Sequence, residues 1–93
     1  MLHIVKSTTA LSSVLLCLGE NDAVLLCEQA VTAANSAHHN FSLIASHLAQ
    51  VHLLESDIAA RGLSRLIDNN VSQVDFSGFV KLTEQHTQSM TWD

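Results

Sequence analysis

Ala23-Val24-Leu25-Leu26-Cys27 is apolar at every position. A strand with one wet face would alternate apolar and polar side chains. Five uninterrupted apolar residues mark a strand buried on both faces, as in a parallel sheet covered by helices on each side. The neighbouring segments fit that frame. Upstream, Leu2 to Val5 is a short run ending in β-branched Ile4 and Val5, and it reads as a first strand. Between the two strands, Leu11, Val14, Leu15 and Leu18 recur at helical spacing, with Thr8 or Thr9 as a cap and Gly19 as a stop.

Downstream the alternation continues. Glu28 to Ala34 reads as a short helix, and Asn35 to Asn40 as a loop. Asn40 is placed to cap a helix carrying Phe41, Ile44, Ala45 and Leu48. Val51 to Leu54 is a third strand. Ser56 can cap a single helical turn ending at Gly62. Val71 to Val74 is a fourth strand, and Asp75 caps a last helix with Phe76, Phe79, Val80 and Thr83 on one face. Met90 and Trp92 alternate with polar neighbours, so the tail adds a short fifth strand. Strand and helix in strict alternation predict a parallel sheet with right-handed crossovers. The expected fold is α/β: one small flavodoxin-like domain over residues 1–93, with four or five strands flanked by helices.

Composition narrows the function. At 93 residues the domain is small, and 47% of it is hydrophobic against 14% charged. A domain this size buries only roughly 60–70% of the surface its unfolded chain exposes, so oligomerisation is a natural source of further burial. The net charge is −5, and Lys6, Arg61, Arg65 and Lys81 are scattered. Gripping phosphates takes clustered cations, so no direct nucleic-acid contact is expected. No run reaches transmembrane length, so no membrane contact is expected either. The apolar stretch after Lys6 imitates a secretory signal poorly: Ser12 and Ser13 interrupt it, and bulky Leu16 sits where cleavage wants a small side chain. A cytoplasmic location with reduced thiols follows.

Much chemistry is missing. Gly19, Gly62 and Gly78 are isolated, so neither a phosphate loop nor a dinucleotide fingerprint can form, and no cofactor is expected. The six histidines do not make a metal site. His38 and His39 are adjacent and would diverge on a helix, while His47 and His52 lie on different elements.

Three stretches resemble the TusB and DsrH family of sulfur-relay subunits. They are Met1-Leu2-His3-Ile4-Val5-Lys6-Ser7, Asp57-Ile58-Ala59-Ala60-Arg61-Gly62-Leu63, and the segment from Val74-Asp75-Phe76-Ser77-Gly78-Phe79-Val80-Lys81-Leu82-Thr83 to Gln88-Ser89-Met90-Thr91-Trp92. Val31-Thr32-Ala33-Ala34 adds weaker support. The family usually has an acidic residue and a glycine just before that last stretch, where this chain has Gln29 and Ala30. The resemblance implies the small parallel-sheet domain shared by three related subunits. It also implies a heterohexamer with TusC-like and TusD-like subunits, two copies of each. Such a complex takes persulfide sulfur from a TusA-like donor and hands it to a TusE-like acceptor, and the sulfur ends on the wobble uridine of tRNA. In that family the D-type subunit holds the transferring cysteine, and the B-type subunit is mainly structural.

Six residues stand out as candidates. Asp57 and Arg61, spaced four apart, make either an exposed ion pair or part of a subunit interface. Met90 and Trp92 are either edge-strand core or anchors for a partner. Cys27 ends a strand at the carboxyl edge of the sheet, where α/β folds place their sites, yet its run is continuously apolar. The structural reading of Cys27 is favoured. Cys17 falls between Leu16 and Leu18 in a helix and reads as buried. The expectation is therefore a chain without a catalytic residue of its own. Two rivals remain: an independent persulfide carrier using Cys27 or Cys17, and a homo-oligomeric flavodoxin-like ligand-binding domain; apart from these, a homodimer is an option for the isolated chain.

Overall fold

A computed structural model describes the chain from Met1 to Asp93. Five parallel strands form one sheet: β1 (Leu2–Val5), β2 (Ala23–Leu26), β3 (Val51–Leu54), β4 (Ser72–Val74) and β5 (Ser89–Trp92). Their order is β4-β3-β2-β1-β5. The first four strands step across the sheet one place at a time, and the last jumps to the opposite edge beside β1. The layers are those of the flavodoxin-like class, but β1 lies between β2 and β5 rather than between the second and third strands.

Right-handed crossovers dictate where the helices go. Successive steps in one direction put their connections on one face. That face carries α1 (Leu11–Leu16), a 3-10 segment (Glu28–Ala34), α2 (Phe41–Ala45) and α3 (Glu55–Ala60). The return from β4 to β5 runs the other way, so α4 (Phe76–Gln85) lies on the second face. The core divides accordingly. Val5, Val24, Leu26, Val51 and Leu53 point into a large cluster with Leu11, Val14, Ile44 and Ile58. Leu2, Ala23 and Leu25 point the other way and meet Leu82. All four residues of β2 are buried, as its composition predicts.

Several boundaries differ from the sequence reading. Helix α1 ends at Leu16, so Leu18 packs on the core from the following turn. Ser56 lies inside α3, which starts one residue earlier with Leu54 at its cap. Leu48 lies beyond α2, and Val71 just before β4. Glu28–Ala34 winds as a 3-10 helix rather than an α-helix. There the Thr32 hydroxyl donates to the Gln29 carbonyl at 2.8 Å, competing for a main-chain acceptor, and four small residues press on the sheet.

The largest correction concerns α4. Asp75 caps it as expected, its carboxylate accepting from the Gly78 N–H at 2.8 Å. The inward face, however, is Gly78, Phe79 and Leu82, while Phe76, Val80 and Thr83 are exposed. Gly78 explains the rotation. A Cβ there would sit 2.8 Å from the Val74 Cβ, so the helix enters with its glycine against the end of β4.

Candidate functional site

The carboxyl edge of the sheet is where a site belongs in this architecture. Cys27 stands there, directly after β2, and is 7% exposed. Its thiol points at the Val5 carbonyl at 3.6 Å, and its N–H donates to the same oxygen at 3.0 Å. Burial first, then the nearby carboxylates of Glu28 and Asp57, push the thiol up to about 11. At neutral pH it stays protonated, so it is a poor nucleophile. The next residue, Glu28, turns the chain with φ at +51°, in the left-handed region. Asp57 holds that turn, accepting from the Glu28 N–H at 2.7 Å, while Lys6 faces the Glu28 carboxylate at 3.7 Å.

The amino edge carries a second polar arrangement. His3 is 3% exposed and is the one buried polar residue. The Trp92 indole N–H reaches its Nδ1 at 3.2 Å. An indole can only donate, so Nδ1 carries no proton and Nε2 carries the ring hydrogen. That hydrogen goes to Asp22 Oδ2 at 3.1 Å. The same carboxylate accepts from the Gly19 N–H at 3.0 Å and from the Met1 ammonium at 2.9 Å. These donors, with Gly19 foremost, then the ammonium and His3, hold Asp22 far below the ordinary carboxylate range. Both ring nitrogens of His3 are thus engaged, which leaves none to serve as a base. Gln50 ties the neighbouring turn by donating to the Gly19 and Asp22 carbonyls, each at 2.9 Å.

A family profile described as DsrH like protein matches residues 6–89. Proteins named TusB from Escherichia fergusonii and Shigella boydii are each 33% identical over 95 residues, covering 99% of this chain and all of theirs. The chain belongs to the DsrH-like family. Its fold is also that of the Escherichia coli ychN protein, with a TM-score of 0.73 at 18% identity over 98% of this chain and 97% of that one. A protein of unknown function from Methanobacterium thermoautotrophicum, MTH1491, superposes with a TM-score of 0.67 at 11% identity, over 97% and 95% of the two chains.

The left-handed Glu28 makes the turn from β2 into the 3-10 segment, ahead of Gln29 and Ala30. Asp57 and Arg61 form no ion pair: Asp57 accepts from the Glu28 N–H, and Arg61 stands exposed at the end of α3. Gly62, at φ +66°, then closes α3, with the Leu63 N–H returning to the Ile58 carbonyl at 3.0 Å. Cys17 is exposed rather than buried, since α1 ends just before it, and it shares an amino-edge cleft with Met1, His3, Asp22, Met90 and Trp92. Trp92 packs on the main core, while Met90, next to it on the same strand face, is largely exposed. His38 and His39 lie in the loop expected for Asn35 to Asn40, and their rings stack at 4.5 Å. Sequence reasoning missed His3 and Asp22. The available signal was one imidazole inside an otherwise apolar strand, which demands a buried partner.

Proposed function

We propose that this chain is a non-catalytic subunit of a cytoplasmic sulfur-relay complex that supports 2-thiolation of the wobble uridine of tRNA. Its partners would be TusC-like and TusD-like subunits, two copies of each with two of this chain, between a TusA-like donor and a TusE-like acceptor. The full-length similarity to proteins named TusB supports the assignment. The observation that carries the non-catalytic role is the state of Cys27. Sulfur transfer needs a thiolate that another protein's persulfide can reach. The one thiol at the carboxyl edge is buried and pushed up to about 11. Persulfide chemistry then falls to another subunit, and this chain contributes surface and shape.

The exposure of Cys17 supports a second reading, a persulfide carrier that uses that residue. One experiment separates the two. A deletion strain is complemented with the wild-type gene or with the Cys17→Ala, Cys27→Ala double variant, and tRNA nucleosides are measured by mass spectrometry. Deletion should remove most 2-thiouridine, and both genes should restore it. A stably expressed, assembled double variant without 2-thiouridine would establish the carrier reading in place of the structural one.

A further inference from the structure

Helices α3 and α4 leave neighbouring strands on opposite faces of the sheet. The carboxyl ends of β3 and β4 therefore form the topological switch point, where open α/β sheets keep their binding crevice. A groove lies there, lined by Leu54, Glu55, Ala59, Asp75, Phe76 and Phe79. Leu54 and Phe79 pack in part on the smaller core cluster, whereas Phe76 is left outside it. Phe76 is 69% exposed, with its ring 6.3 Å from that of half-buried Phe79. The groove's rim is acidic and carries no salt bridge, although Asp75 also caps α4. The carboxylates within 4.0 Å of a cation are those of Asp22 and Glu28, so Glu55 and Asp75 have no ionic partner. The bias extends along the whole edge. Glu28, Glu55, Asp57, Asp75 and Asp93 follow strand ends, against Lys6 alone.

We propose that this groove docks a protein segment that presents an apolar anchor beside a lysine or arginine. An aliphatic side chain would cover Phe79 and Leu54. A guanidinium over the open face of Phe76 would meet the ring and the Glu55 carboxylate together. Self-association through the same face is disfavoured, because a two-fold contact would set the acidic rim of one copy against the same rim of the other. Phosphate backbones are repelled for the same reason. That a partner subunit of the relay complex presents the segment rests on the proposed function; the chemistry of the groove does not.

The test has two arms. In the first, the full chain is co-expressed with C-type and D-type subunits, and affinity is compared with Phe76→Ser and Glu55→Lys. Both positions are exposed, and unchanged melting confirms that the fold is intact. At least a tenfold loss of affinity is expected, and wild-type affinity in both variants overturns the proposal while leaving the subunit reading in place. If the wild-type chain does not assemble, the subunit reading fails and the second arm decides. There the isotope-labelled chain is titrated with a blocked Leu-Arg peptide amide and with its Leu-Glu counterpart. Salt-sensitive amide shifts at Ala59, Phe76 and Phe79 with Leu-Arg only, lost in Glu55→Lys, support the groove. Absent shifts, or equal shifts with Leu-Glu, overturn it. So does a homodimer that Phe76→Ser dissolves, since a second copy would then be the occupant.

Discussion

Two thiols in one chain meet opposite fates because of where the backbone leaves them. Cys27 hangs from a strand end with its sulfur turned to the Val5 carbonyl, and Cys17 sits one residue past a helix in an open cleft. Native-state alkylation with iodoacetamide near pH 7.4 should add one label, at Cys17. A second label appearing at a similar rate would contradict the buried, protonated state of Cys27. His3 makes a different residue-scale prediction. Trp92→Phe keeps most of the packing but removes the only donor to Nδ1. The ring nitrogen is then buried without a partner, which costs about 1–3 kcal/mol. Urea unfolding checks this; an unchanged midpoint would mean that the indole hydrogen bond carries no net stability.

At the scale of elements, two backbone positions decide how helices meet strands. Gly78 lets α4 enter against Val74. Gly78→Ala gains about 1 kcal/mol of helix propensity yet forces a Cβ into a space already filled. Overpacking costs about 1–3 kcal/mol, so a net loss is expected in thermal melts. Stabilisation by the alanine would show that α4 can shift freely, contrary to the close contact. Glu28 is the converse case, since a non-glycine residue occupies the left-handed region. Glycine there raises the entropy of the unfolded chain, which opposes folding, but removes about 1–2 kcal/mol of local strain. Glu28→Gly should therefore raise the melting temperature by a few degrees, despite the loss of the exposed contact to Lys6. A lower melting temperature would mean that the Lys6 contact and the unfolded-chain entropy outweigh the strain.

For the molecule as a whole, the two faces of the sheet are unequally covered. Several segments shield the first and a single helix the second, where Ile4, His52, Leu54 and Val74 remain half-buried. His52 reports on that face. Burial, and after it the nearby His86, lowers its pKa from the ordinary 6.5. The unfolded chain then takes up this proton at a higher pH than the folded one. The resulting stability is present above about 6.5 and is lost as pH falls through the folded value. Urea midpoints at pH 7.5 and 5.5 should fall more for wild type than for His52→Gln, and parallel losses would exclude His52 as the group responsible. The layered fold itself was legible in the sequence because β2 is apolar throughout and apolar spacing changes period between strands and helices. The buried His3 was not legible, because its partners Asp22 and Trp92 lie 19 and 89 residues away. Nor were the α4 face and the open Cys17, because apolar spacing fixes neither the entry of a helix against its strand nor the residue at which it ends.

The sequence by itself determined the class: alternating strands and helices, a parallel sheet and a handedness that follows from the L-backbone. It also carried the family likeness, which lies in three short stretches. Tertiary structure alone decided which side chains face which. The jump of β5 to the far edge puts Trp92 against His3, 89 residues away, and sends α4 alone to the second face. Local periodicity names a helix and its apolar stripe. The rotation of that helix is set by how it packs, and in α4 Gly78 lies against Val74 at the end of β4, an approach that the apolar pattern of the helix does not encode.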